Sequence, residues 1–490
     1  MSDVVDPHGI RLPIKLDSTS NGEFAPIPLS VTNRAANRLA HEAATRNARR
    51  LALTRRRFLL SACGAASTLL SFNAANAAAG KRAGWFDLDA DAALEPELAA
   101  ARLEGDEFIF DVQGHFVDPS GAWVRAASSD AFKWSPKSGC AYARSSDPRS
   151  YLRCLGPDEF VKDVFLDSDT DMMVLSFVPS RRDAEPLTIA AADATRRVVE
   201  RMEGTHRLLL HGRVNPNQPG DVEAMDELAG RWRVSAWKTY TQWGPDGTGY
   251  FLSDDVGMRF IEKARALGVK VICIHKGLPF GRQSYQHSQC SDIGVVARRF
   301  PDVKFLVYHS GFVAGNAERP YDEGAQRDGI DTLIRSLVED NVAPNGNVYA
   351  ELGSTWRFLM REPDSAAHAL GKLFKYCGEA NVLWGTDSIW YGSPQDQIQA
   401  FRTFQIAPEL RARYGYPEIT PELRAKVFGL NAAQVYGIGP DEVKNGAHRD
   451  RIAQERRAYR EHPEPHFRTY GPKTRREFLN LLAWNGGSRA

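Results

Sequence analysis

VKVICIH (Val269–His275), SDIGVVARRFPD (Ser291–Asp302) and VKFLVYH (Val303–His309) read in order as strand, helix and strand. Both strand segments are continuous apolar runs rather than polar–apolar alternations, the pattern of parallel strands covered on both faces. In the segment between them, Asp292 can cap a helix whose Ile293, Val296, Ala297 and Phe300 share one face, and Pro301 ends it.

The same unit recurs in both directions. EFIFDV (Glu107–Val112), DMMVLSFV (Asp171–Val178), RLLLHGRV (Arg207–Val214) and RVSAWKTY (Arg233–Tyr240) come before it; NVYAEL (Asn347–Leu352) and NVLWGTD (Asn381–Asp387) follow. The intervening segments carry helical faces, such as Phe260, Ile261, Ala264 and Leu267, stopped by Gly268, and Leu370, Leu373, Phe374 and Cys377. Eight strand–helix units between residues 106 and 440 predict an α/β protein, a (β/α)8 TIM barrel. No G-x-G-x-x-G follows a strand, which argues against an open dinucleotide-binding sheet. Strands one and two are separated by a long insertion, Gln113 to Thr170, containing Trp123 and Trp134. It follows a strand's C-terminal end, the catalytic face of such a barrel, and is expected to form a lid.

Lys plus Arg number 62 against 61 Asp plus Glu in 490 residues, a formal charge of +1. That balance excludes a field holding the chain on nucleic acid. No run reaches the roughly 18 apolar residues of a membrane span, so stable membrane insertion is not expected. At the N-terminus a polar region, residues 1–53, precedes TRRRFLL (Thr54–Leu60), an apolar stretch ending near Phe72, and Ala75-Asn76-Ala77. This order resembles a twin-arginine (Tat) export signal over residues 54–79, with a small-residue cleavage site. The resemblance implies the Tat machinery as a partner and a periplasmic or otherwise exported mature protein beginning near Ala78. Residues 80–105 then read as a linker, and residues 441–490 as a charged C-terminal extension covering the barrel or forming a homo-oligomer contact. With Cys63 leaving in the signal, five cysteines remain, and no structural disulfide is expected.

Polar residues gather at the predicted strand ends. Strand one runs into Gln113-Gly114-His115, strand four carries Lys238, strands five and six end on His275 and His309, and strand eight ends on Asp387. Barrel strands converge at one rim, so His115, His275, His309 and Asp387 should surround one axial point. Imidazoles and a carboxylate form a ligand set for Zn²⁺ or a similar ion.

These residues, with YHSGF (Tyr308–Phe312), LWGTDS (Leu383–Ser388) and FGLNAAQVYGI (Phe428–Ile438), resemble the amidohydrolase superfamily. The likeness is to its amidohydrolase-related branch, which includes aromatic-acid and semialdehyde decarboxylases beside lactone hydrolases. It implies that His115, His275 and Asp387 hold one divalent ion, Zn²⁺ or Mn²⁺, and that His309 and Asp387 handle protons. Gln113 stands where the family's H-x-H has its first histidine. A Gln carbonyl is a weaker partner than imidazole, so the site should bind the ion less tightly, prefer a harder ion, or have lost it. Lys238 and Arg357 are candidates to bind a substrate carboxylate.

The expected activity is hydrolysis of an ester, lactone or amide bond in a small cyclic or aromatic carboxylate. Decarboxylation of an aromatic or unsaturated acid is the alternative, and an inactive exported binding protein the rival of a different class.

Overall fold

The computed structural model describes residues 12–126, 148–203, 206–279, 284–439, 450–465 and 467–484. Each apolar run becomes a strand: β1 (Phe110–Gly114), β2 (Met172–Leu175), β3 (Leu208–Arg213) and β4 (Ala236–Tyr240). They continue as β5 (Val271–His275), β6 (Lys304–Tyr308), β7 (Val348–Glu351) and β8 (Val382–Leu383). Neighbours in sequence are neighbours in the sheet, and every pair from β1 to β8 is parallel. Backbone bonds join the two ends: the Val112 N–H donates to the Trp384 carbonyl (3.1 Å) and the Asp387 N–H to the Gln113 carbonyl (2.9 Å). The predicted (β/α)8 barrel is the observed one.

Strand periodicity divides the side chains between two cores. Ala236, Cys273, Leu306 and Tyr308 pack in the barrel interior, where Ala432 and Val435 also lie. Their alternates Trp237, Ile272, Ile274, Phe305 and Val307 join the layer shared with the helices. By this parity Lys238 falls on the inner side with Ala236, and His275 with Cys273. The helices end as expected: Asp255–Ala266 is followed by Gly268 at φ 76°, a conformation that favours glycine. Asp292 sits at the start of Ile293–Arg299, but its carboxylate makes an ion pair with Lys276 (2.7 Å) and accepts from the Leu252 N–H (2.7 Å) rather than capping the helix.

The first hundred residues differ from expectation in their packing. The polar region contains helix α1 (Val31–Arg50), started by a reciprocal capping box between Ser30 and Asn33. The stretch read as an export signal is folded as a short helix, Arg55–Leu59, and helix α2 (Ala62–Ala78). Ala36, Ala40, Ala44 and Ala48 form a four-residue stripe on α1, and α2 packs against that helix. Phe58, Cys63, Leu69 and Phe72 are all at most 1% exposed in the main core. Asn47 donates to the Ser67 hydroxyl between the two helices (3.0 Å). Arg55 is tied to the His41 carbonyl (2.9 Å). The stretch read as a linker carries a strand, Gly84–Phe86, antiparallel to Phe404–Ile406, and a helix, Pro96–Leu103. Residues 54–105 are therefore built into the fold. An export-signal core and a buried helix have the same apolar composition, and only the surroundings distinguish them. Among the described residues no helix is long and apolar enough to cross a membrane.

The insertion after β1 forms a satellite core in which Phe116, Trp123, Leu152, Phe160 and Phe165 pack with Trp390 and Tyr470. Trp123 is buried there and its indole N–H donates to the Asp118 carbonyl (2.7 Å), so it is packing rather than a stacking surface for a ligand. Trp134 lies outside the described residues. Cys154 is disulfide-bonded, correcting the expectation of no structural bridge. That expectation counted Cys63 as lost, whereas Cys63 is a buried free thiol. The C-terminal extension covers the barrel: Asp450 pairs with buried Arg207 (2.7 Å) and the Tyr470 N–H donates to the Trp390 carbonyl (2.7 Å).

Because the Phe72 ring is fully enclosed, Phe72→Ala should cost the full-length chain about 3–5 kcal/mol, the range for such truncations. The check is the midpoint of urea unfolding; an unchanged midpoint would mean that α2 is not part of the folded core.

Candidate active site

Five predicted residues meet at the C-terminal ends of the strands. His115 Nε2 is 3.1 Å from Asp387 Oδ1. The Gln113 amide donates to the same oxygen (3.0 Å), with its nitrogen also 3.4 Å from Nε2 of both His115 and His309. The rings of His275 and His309 stand edge to face, 4.5 Å between centroids. The other Asp387 oxygen accepts from Ser354 Oγ, in the loop after β7, and from Asn21 Nδ2 (2.6 Å).

Asn21 introduces an element that no motif announced. Residues 12–30 form an arm running over the barrel mouth and bringing Glu23 into the cluster. Glu23 Oε1 lies 3.5 Å from His275 Nδ1 and Oε2 lies 3.6 Å from His309 Nε2. Glu23, His275 and His309 offer ligand atoms that all lie within 4.8 Å of one another, a possible metal site. The arm is anchored along its length. Lys15 pairs with Asp396 (3.3 Å), Thr19 Oγ1 donates to Thr469 Oγ1 (2.7 Å), and the Ser20 N–H donates to the Pro472 carbonyl (2.9 Å). Phe24 packs edge-on against Phe358 at 4.7 Å.

Strand geometry alone does not aim every side chain. His309 follows inward-facing Tyr308, so strict alternation would send it outward. Its left-handed backbone (φ 63°) turns it back, and Ser354 (53°) and Asp387 (58°) share that strained region. Two buried carboxylates brace these turns. Glu351 accepts the N–H groups of His309 (3.0 Å) and Gly353 (2.5 Å); burial pushes its carboxyl up to about 8. Asp111 accepts those of Gln113 (2.9 Å) and Thr386 (3.1 Å), and burial pushes it up to about 7. A Cβ on Gly385, the glycine of LWGTDS, would stand 1.6 Å from a Glu351 oxygen, so that close approach requires glycine.

Burial keeps two of the imidazoles, His275 and His309, neutral. Burial pushes His275 well below its usual range, and His309 down to about 4. His309 Nδ1 lies 2.6 Å from the Gly353 carbonyl, which can only accept, so Nδ1 carries the proton and Nε2 presents its lone pair to the cluster. That tautomer makes Nε2 an acceptor or ligand, not a donor to a developing oxyanion. Burial raises the Asp387 carboxyl, but its donors, His115 first, outweigh this and hold it ionised.

Lys238 Nζ is fully buried with no hydrogen-bond partner among the described residues, over the Tyr308 ring (3.7 Å) and the Tyr240 ring (4.8 Å). Burial lowers its pKa to about 8. A buried ammonium without an acceptor is placed to receive an anion. Arg357 is also buried, but it is engaged: Nη2 donates to Asp17 of the arm (2.7 Å), leaving Nε and Nη1 without hydrogen bonds among the described residues. His462 is exposed and takes no part.

An amidohydrolase family profile matches residues 110–438. No curated protein matches the chain by sequence. Similar solved structures include the 5-carboxyvanillate decarboxylase of Sphingomonas paucimobilis, 14% identical, covering 68% of this chain and 100% of its own with a TM-score of 0.44. A 5-carboxyvanillate decarboxylase of Novosphingobium aromaticivorans, with bound manganese, is 13% identical and covers 68% and 98% with a TM-score of 0.41. A putative 2-pyrone-4,6-dicarboxylic acid hydrolase of Pseudomonas putida is 14% identical and covers 68% and 99% with a TM-score of 0.39.

Glu351→Ala would strand two buried N–H groups, at about 1–3 kcal/mol each. It should therefore destabilise the protein more than Glu351→Gln, which keeps one acceptor. Thermal unfolding of the two variants compares them directly; equal midpoints would argue against the bracing role.

Proposed function

The chain belongs to the amidohydrolase family, and from that premise we propose that it is a metal-dependent hydrolase of an ester, lactone or amide bond in a small cyclic or aromatic carboxylate. The observation carrying this reading is the convergence of His115, His275, His309 and Asp387 in a buried cluster beside the unpartnered Lys238 ammonium. The donor set fits a divalent ion: the neutral imidazoles of His275 and His309 and an ionised carboxylate offer lone pairs in a buried site. His115, His275 and Asp387 are the residues that would hold it, with the Gln113 carbonyl as the weakest donor. When bound, such an ion lowers the pKa of water from about 15.7 toward 7 and polarises a carbonyl.

The chain's own groups supply the remaining roles. Asp387 exchanges one of its hydrogen-bond donors for water, takes the proton and returns it to the leaving group. His309, as an acceptor, orients the same site rather than donating to the oxyanion. Lys238 holds the substrate carboxylate, and its position over two tyrosine rings suits an aromatic or ring-shaped body alongside. Arg357 is a second anion contact only if Asp17 yields it. Decarboxylation of an aromatic acid uses the same anion grip and the same proton carrier, and is the second reading. Export by the Tat route, of a chain that keeps residues 12–53, and a homo-oligomeric state belong to this proposal as well, on the sequence order of residues 54–79 and the charged extension.

Full-length protein from Zn²⁺- and Mn²⁺-supplemented medium should carry close to one divalent ion per chain by elemental analysis, and His275→Ala should lose most of it. Ion-free wild-type protein would end the metal-dependent reading. Lactone, ester and aromatic-acid panels in H₂¹⁸O should place ¹⁸O in the product; release of CO₂ without ¹⁸O incorporation would favour decarboxylation. Asp387→Asn should abolish turnover in either case, and a variant with wild-type turnover would remove Asp387 from the mechanism.

A further inference from the structure

Glu23 is separated from His275 and His309 by most of the chain, yet it faces both imidazoles and is buried with them. The spacing has a specific meaning. His309 Nδ1 donates to Gly353, so the Nε2 facing Glu23 Oε2 is a lone pair facing a carboxylate oxygen. Two acceptors held together in a buried interior repel unless a proton or a metal ion lies between them. The separations, 3.5 and 3.6 Å, are long for hydrogen bonds. Two donors on one tetrahedral ion, each at about 2.0–2.2 Å, stand about 3.4 Å apart.

Glu23 is also held in position. Its Oε2 accepts from Asn21 Nδ2 (2.5 Å) and its backbone N–H donates to Asn21 Oδ1 (2.9 Å). Leu12, Ile14, Leu16 and Phe24 of the arm lie in the main core, continuous with α1 and α2. Beside it Gln113, whose Oε1 has no hydrogen-bond partner among the described residues, stands where the related motif has a stronger ligand.

We propose that Glu23, supplied by the N-terminal arm, is a ligand of the divalent ion together with His275 and His309, and compensates for the weak donor at Gln113. The inference rests on the metal-dependent reading. It amends the ligand set of that reading: His309 joins His275 as a ligand, and Asp387, already surrounded by four donors, serves as the proton carrier rather than as a ligand. It also makes residues 12–30 part of the working site: cleavage near Ala78 would remove a ligand, so the ion-bearing form retains the arm.

The test uses full-length wild type, Glu23→Gln, Glu23→Ala and His275→Ala, each stripped of metal and titrated with Zn²⁺ by calorimetry. Visible spectra of the Co²⁺-loaded proteins report the ligand set directly. Both Glu23 variants should bind at least about 100-fold more weakly, beyond the 10–100-fold typical of an outer-shell change, and their Co²⁺ bands should shift. Unfolding midpoints of the metal-free proteins should stay within a few degrees of wild type, showing that the arm remains docked. If the Glu23 variants keep wild-type affinity and spectrum while His275→Ala loses both, Glu23 is no ligand. The arm is then a plug over a metal site that still stands, and Glu23→Ala should raise turnover. Wild type that binds no ion overturns this proposal and the metal reading together. Ion-loaded protein from the native cell whose intact mass corresponds to a chain starting near Ala78 would also overturn it.

Discussion

The site depends on keeping one ionised carboxylate, Asp387, buried in the barrel mouth. An unpaired buried charge is costly, and Asp387 is tolerated because four donors surround it: His115, Gln113, Asn21 and Ser354. These donors come from β1, the loop after β7 and the N-terminal arm, so satisfying one charge fixes three separate parts of the chain. The left-handed backbones at Ser354 and Asp387 are a consequence, since extended strands cannot present both oxygens of Asp387 to donors arriving from different sides.

Around that charge lies a second polar layer whose work is positional. Glu351 and Asp111 bind backbone N–H groups rather than ligands, and burial keeps both carboxyls far above their ordinary range. They lock the turns carrying His309 and Gln113, so the imidazoles meet with the His309 tautomer already chosen. Preorganisation of this kind places the reorganisation cost in folding rather than in the reaction. Lys238 shows the opposite condition, a buried cation without a hydrogen-bond acceptor among the described residues.

The arm and the two N-terminal helices change how the chain's organisation is understood. A barrel with a detachable leader and linker is what local composition suggests. In the fold, α1 and α2 share one core with the outer barrel layer, and the arm uses that support to reach the mouth. Arg357 illustrates the same dependence: a candidate substrate contact in the sequence, it is paired with Asp17 of the arm in the fold.

Local sequence was enough to determine the repeating strand–helix units, because apolar runs and helix stops depend on neighbours a few residues away. Those units fixed the barrel, and with it the convergence of His115, His275, His309 and Asp387 at one rim. The tertiary structure alone decided what covers each group. Glu23 has no signature near it in sequence, since its partners lie some 250 residues or more downstream. The apolar stretch from Phe58 to Phe72 has the composition of an export signal, and only the fold shows that it packs against α1. Trp123 looks like a lid residue until Phe160 and Trp390 enclose it. In each case the side chain's chemistry was visible in the sequence, but its role was set by contacts between distant segments, which no local pattern encodes.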